Sequence, residues 1–274
     1  MTLPLGFTFT QSNLQDFIDC PLRFYLRYIL KLQWPSLVSE PIMAFEERME
    51  NGQRFHQLVH QYSLGLPANL LQDQLIDEPD LLKWWGNFHD HDPLQNLPAN
   101  RISEIVLTLP YEDFRLNAVI DLLAWDQQGS YTIIDWKTAS KRPNRKFLEA
   151  RIQTDLYPFL VKRTIASTAP PLPADDLIIN FIYWFPEFPT TPETFKYTQE
   201  RDDRFSARLH DLIHTIARLE PHDFTMTSKK RLCQYCNYRS YCERGVQAGN
   251  FNDNMEDLNE SFIDFDHVIL DENQ

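Results

Sequence analysis

The residues able to do chemistry concentrate between Ala118 and Tyr157. The stretch reads Ala118-Val-Ile-Asp121, then after a turn Ile133-Ile-Asp135-Trp-Lys137, then Gln153-Thr-Asp-Leu-Tyr157. Two apolar segments each carry a carboxylate, and an amine follows the second by two residues. Side chains alternate faces along a strand, so Asp135 and Lys137 point the same way. The turn signal at Gln127-Gln-Gly129 folds the Asp121 segment back antiparallel on the Asp135 segment. Two acids and one amine then meet at one spot on a sheet. Carboxylate oxygens suit a hard divalent cation, and a lysine beside it completes the equipment for attack of water on a phosphodiester.

A second group consists of the four cysteines, Cys20, Cys233, Cys236 and Cys242. Clustered thiols in a chain without secretory features read as metal ligands before disulfides. One distant cysteine and a close Cys-x2-Cys-x5-Cys trio fit a four-thiolate cluster better than a zinc ribbon, which uses two Cys-x2-Cys pairs. The other reading is a trio on zinc with a non-cysteine fourth ligand, leaving Cys20 as a core thiol.

These residues need a frame. Residues 9–30 read as helical, with Thr10 or Ser12 as cap and a break or restart at Pro21. Arg23 and Arg27 there are either phosphate contacts or solvated surface. Residues 42–64 read as a long helix on which Gly52 and His56 share a face. His60, one turn on, is a rival ligand. Residues 66–100 hold a short helix between loops, and packing is the default role of Trp84, Trp85 and Phe88. Three strand-like segments follow between Arg101 and Trp136. Glu104 reads as an ordinary surface acid, although it could line a cleft. After Pro143 an apolar stripe predicts one helix to about Thr164, carrying Gln153 and Tyr157 on one face. "LIINFIYWFP" and "TFKYT" read as a strand and its hairpin partner, and residues 200–219 as an amphipathic helix. The order predicts an α/β fold, a mixed sheet flanked by helices. A continuous βαβ series with a glycine-rich phosphate loop is absent, so neither a P-loop nor a dinucleotide site is indicated.

The net charge is −13, which argues mildly against a nucleic-acid binder. Residues 250–274 hold eight of the acids and no Lys or Arg; −13 less −8 leaves −5 for the rest. The body can therefore carry a basic groove beside an acidic, flexible tail. Apolar content of 43% supports a packed core. With no long apolar run and no basic-apolar leader, the expected compartment is the cytoplasm, without a membrane partner.

The run "VID…IIDWK…QTDLY" resembles the PD-(D/E)XK nuclease superfamily, in its RecB-like branch. That branch includes the AddB nuclease domain and the iron–sulfur CRISPR-associated RecB-like exonucleases. The opening "TQSNLQDFIDCPLRFYLRYIL", the Gly52-x3-His56 pair and the cysteine trio extend the similarity over about residues 8–245. Ala118 stands where the branch usually has glycine. The resemblance implies a restriction-endonuclease-like core over residues 1–249, its ends clasped by the cysteines. It implies Mg²⁺ or Mn²⁺ on His56, Asp121, Asp135 and the Trp136 carbonyl. Imidazole among the ligands favours Mn²⁺. Lys137 would orient water or stabilise the transition state, and Gln153 and Tyr157 would hold the DNA strand. Cys20, Cys233, Cys236 and Cys242 would bind a 4Fe–4S cluster, with zinc the alternative. The implied function is a metal-dependent DNA exonuclease or endonuclease, in repair or CRISPR adaptation, with single-stranded DNA or DNA ends as substrate and protein partners in such a complex. A non-catalytic DNA-binding subunit and a purely structural metal protein are the competing readings.

Overall fold

The computed structural model describes residues 3–33, 40–168, 177–233 and 236–245. The expected acidic tail, 250–274, lies outside the described residues. Thr10 caps the first helix, α1 (Gln11–Asp19), by accepting from the Asn13 amide, while the Asn13 side chain accepts from the Thr10 amide. Such a reciprocal cap is worth about 1 kcal/mol. Pro21 starts α2 (Pro21–Phe24), which runs into a π-helical turn, Tyr25–Ile29. Three helices follow: α3 (Glu40–Ser63), α4 (Ala68–Gln72) and α5 (Pro79–His91).

Six strands build one mixed sheet. They are β1 (Thr8–Phe9), β2 (Asn100–Tyr111), β3 (Phe114–Trp125), β4 (Ser130–Trp136), β5 (Ile178–Trp184) and β6 (Glu193–Tyr197). The spine is β3. Antiparallel β2 runs along one edge of it, from Asn100 opposite Trp125 to Tyr111 opposite Phe114. Its other edge is shared: β4 takes Leu122–Trp125 antiparallel, and β1 takes Arg115 and Leu116 in parallel. Beyond β4 come parallel β5 and then antiparallel β6. The β3–β4 turn closes as the sequence predicts. Gly129 has a φ of 87°, and Asp126 accepts from the Gln128 and Ser130 amides, an arrangement only a short acid and a glycine supply together.

Each sheet face carries its own core. On one, α6 (Arg145–Ala150), α7 (Gln153–Thr168) and α8 (Gln199–Arg218) bury Leu148, Leu156, Leu160 and Leu209 against Leu116, Ile133 and Phe181. On the other, α3 and α5 bury Phe55, Trp84, Trp85 and Phe88 against Leu122, Ile134, Trp136 and Trp184. Trp84 and Trp85 are therefore packing residues. The one helix expected from Pro143 to Thr164 is two. Arg151 is extended, and the Thr154 hydroxyl donates to the Leu148 carbonyl across the break. The break makes Gln153 the first residue of α7 and aims it at the sheet. No helix among the described residues is long and apolar enough to cross a membrane.

Candidate active site

The β3–β4 ladder ends at Leu122 opposite Ile134. One step further, Asp121 and Asp135 face each other where the strands part. The Asp121 carboxylate takes over the ladder's role by accepting from the Trp136 amide at 2.8 Å. On the opposite edge of β3, Glu104 falls between the pairs Ser103–Leu122 and Ile105–Ile120, so it stands across from Asp121. Three carboxylates thus lie in a row on three adjacent strands.

The backbone is irregular there. Glu104 has a φ of 54°, a left-handed value uncommon for a strand residue with a side chain. Across from it, the alternation of β3 slips. Leu116, Ala118 and Ile120 belong to the α7 core, Leu122 to the α3 core, and Leu123 to the α7 core again. A conformation costing about 1–3 kcal/mol persists only where its surroundings hold it, and such strain gathers at functional sites.

His56 enters from α3. Phe55 and Val59 anchor that helix turn in the aromatic core, which turns His56 toward the strand ends. Its Nδ1 lies 3.2 Å from Asp121 Oδ1, and its Nε2 lies 2.9 Å from the Trp136 carbonyl oxygen. Ligand atoms of His56, Glu104 and Asp121 all fall within 4.8 Å of one another. The rival His60 faces away, with Nδ1 2.7 Å from the Ser103 hydroxyl. Asp135 is 3% exposed and held from two sides. Gln153 Nε2 donates to its Oδ1 at 2.6 Å, and Lys137 Nζ pairs with its Oδ2 at 3.0 Å. Gln153 therefore grips a carboxylate. Tyr157, one helical turn on, is 2% exposed and packs its ring edge-on to Phe181, 6.0 Å between centroids, in the α7 core.

Buried acids this close resist ionising together. Burial first, then the Asp121 charge, pushes Glu104 up to about 7. Burial likewise raises Asp135, against the pull of Lys137. For His56, burial opposes the charged form, but Asp121, Asp135 and Glu104 outweigh it and raise the imidazole. His56, Glu104 and Asp121 bring one imidazole and two carboxylates together as an N/O donor set that fits Mn²⁺ or Mg²⁺; Asp135 stands beside them, held by Gln153 and Lys137.

A model of the PD-(D/E)XK nuclease superfamily matches residues 8–243. The chain belongs to the PD-(D/E)XK nuclease superfamily. Members are phosphodiester hydrolases that generally use Mg²⁺ or Mn²⁺. Among solved structures, a Eubacterium rectale protein named "Putative exonuclease" is 11% identical, with 76% of this chain and 79% of that one covered at a TM-score of 0.47. A protein named SSO0001 is 13% identical, covering 88% of this chain and 87% of that one at a TM-score of 0.42. No curated protein matches the chain. The superfamily's mixed sheet flanked by helices is the fold described above. Glu104 is the member of the acidic row that sequence reasoning passed over; the one cue was an acid on a strand preceding the two aspartates.

The four cysteines line a single recess with Arg23, Arg239 and Arg244. None is in a disulfide. Cys20 sits between α1 and α2, and the chain end is brought to it by two bonds. The Leu22 amide donates to Thr225, and the Tyr238 hydroxyl donates to the Leu32 carbonyl at 2.9 Å. Two groups of three His, Cys, Asp or Glu ligand atoms fall within 4.8 Å of one another among the described residues, and neither includes a cysteine. Arg244 donates to Cys233 Sγ at 3.6 Å. Arg23 corrects both sequence readings. It is 3% exposed and pairs with Asp16 at 2.8 Å and Asp19 at 3.2 Å, so it touches neither solvent nor phosphate. Lys229, Lys230 and Arg231 are exposed, and the cations at the thiols are Arg23 and Arg244.

Proposed function

We propose that this protein is a divalent-metal-dependent DNA nuclease of the RecB-like branch, an exonuclease acting on single strands or DNA ends. The observation that carries the reading is the meeting of His56, Glu104 and Asp121 next to the Asp135–Lys137 pair. His56, Asp121, Asp135 and the Trp136 carbonyl hold the cation, and Glu104 joins them. A divalent cation there supplies Lewis acidity toward phosphate and water. Lys137 keeps its ammonium beside Asp135 Oδ2, where it orients the attacking water or stabilises charge building on the phosphate. Gln153 fixes the Asp135 rotamer through Oδ1, while Lys137 holds Oδ2. Tyr157 braces α7 from within the core, so the pair acts on DNA through the strand ends they position.

Cys20, Cys233, Cys236 and Cys242 hold a 4Fe–4S cluster that closes one nuclease domain, residues 1–249, ahead of the tail. What supports a thiolate-bound metal group is that all four cysteines line one recess; one distant cysteine and a close trio fit the four-thiolate cluster, with zinc the alternative. Repair, recombination or CRISPR adaptation is the setting such nucleases serve, with partner proteins in the same complex, in the cytoplasm.

The test is cleavage of end-labelled single- and double-stranded DNA by anaerobically purified protein with Mn²⁺ or Mg²⁺, beside Lys137→Ala. Cleavage abolished in the variant supports the reading, and the product ladder gives polarity. A folded, cluster-containing protein that binds DNA without cutting it would overturn it in favour of a non-catalytic subunit.

A further inference from the structure

We propose that Glu112, His210 and His214 form a second metal site, for a transition ion of the zinc class, that ties the β2–β3 hairpin tip to α8. The inference is independent of the nuclease reading. Glu112 occupies the turn between Tyr111 and Phe114, roughly 20–25 Å along β3 from Asp121.

The donors come from two elements nearly a hundred residues apart in sequence. His210 and His214 are four apart on α8, so both imidazoles leave one face of the helix. Their ring centroids are 4.1 Å apart. Glu112 has a φ of 53°, and this left-handed turn presents its carboxylate to that face. Ligand atoms of all three residues lie within 4.8 Å of one another.

The contacts are those of neighbours in a coordination shell rather than of ion pairs. Glu112 Oε2 is 2.9 Å from His214 Nε2, and Glu112 Oε1 is 3.6 Å from His210 Nε2. Yet His214 Nε2 is closed to solvent and makes no hydrogen bond. A carboxylate so near, but off the line of the ring nitrogen, wastes a hydrogen bond. Two ligands of one tetrahedral ion do stand this way. With bonds of about 2.0–2.1 Å, their donor atoms sit about 3.4 Å apart and aim at a third point between them. The separations of 2.9 and 3.6 Å bracket that value.

Asp211 Oδ1 lies 3.5 Å from His210 Nδ1 on an exposed side chain, so the ring is not fixed by it. Two imidazoles and one carboxylate with an open side suit zinc, nickel or cobalt far better than Mg²⁺ or Ca²⁺, which take oxygen shells.

Zn²⁺ uptake by the full-length protein, measured by equilibrium dialysis, tests this. The comparison is between Asp121→Asn and the same chain also carrying His210→Ala and His214→Ala. The cysteine recess contributes equally to both. The expected result is one fewer bound equivalent in the triple variant, and a zinc-induced rise in Tm lost with it. His210 is exposed, so His210→Ala alone decides the matter if the triple variant folds poorly. Equal uptake and equal Tm shifts would overturn the proposal, whatever the nuclease assay shows. Mg²⁺-dependent cleavage should be unchanged in His210→Ala.

Discussion

Gln153 and Glu104 decide how the site behaves, and neither role is visible in a motif. Gln153 donates to Asp135 from 2.6 Å. Gln153→Ala frees that carboxylate to rotate, so the Mn²⁺ concentration for half-maximal cleavage should rise about 10–100-fold, with kcat recovering at high metal. A loss of kcat that no metal concentration restores would mean Gln153 meets the DNA instead. The raised acids set a pH signature. Folded-state values above the unfolded ones mean their stability contribution is complete below about pH 4. It is lost as pH rises through about 7 for Glu104 and Asp135. His56, also raised, acts in the same direction. The metal-free protein should therefore have a lower Tm at pH 8 than at pH 5, and Mn²⁺ should stabilise it more at pH 8. Glu104→Gln should raise the metal-free Tm at pH 8 and weaken Mn²⁺ binding; a variant unchanged in both would remove Glu104 from the site. The aspartates and Lys137 were legible because strand alternation fixes where they point. Glu104 was not, because pairing across β3 and a left-handed backbone, neither local in sequence, bring it in.

At the scale of elements, the site depends on two helices that meet the sheet from opposite faces. His56 arrives on α3 and Gln153 on α7. The hydrophobic periods announced both helices and all but one strand of the sheet, the two-residue β1. They could not announce the break at Arg151, since it rests on a long-range need to start α7 at Gln153. Nor could they rank His56 over His60, which differ only in what the sheet offers them. Phe88 is the keystone of the α3 side, with its ring against Phe55, Trp85, Trp136 and Trp184. Phe88→Ala leaves a cavity among them and should cost about 3–5 kcal/mol in urea unfolding. It touches no ligand, yet it loosens the turn that aims His56, so the Mn²⁺ requirement should rise with the loss of stability. Full stability loss with an unaltered metal requirement would show that the strand ends alone hold His56.

Over the whole molecule, the chain is closed on itself twice: by the sheet, whose first strand pairs with β3, and by the cysteine recess, which joins residue 20 to residues 233–242. The sequence displayed the four thiols but not their charge balance. Arg23 and Arg244, from opposite ends of the chain, face the sulfurs, and Arg23 is itself bound by Asp16 and Asp19. Without a metal the recess is poorly tuned. Burial and the other cysteines push the Cys242 thiol up to about 11. Burial raises Cys236 as well, although Arg23 opposes it. Loading the recess with the proposed cluster would therefore expel protons, and its binding energy would become folding energy. Cys20→Ala removes the only sulfur from the first end. It should lower the Tm, expose the segment after Phe224 to protease, and remove the absorbance of the proposed cluster, while the proposed Mg²⁺-dependent cleavage persists at low temperature. That last outcome separates the clasp from the chemistry, because Cys20 contacts none of the carboxylates. If cleavage disappears in a variant whose sheet remains folded by circular dichroism, the clasp is part of the active site, and the two closures of the chain are one cooperative unit.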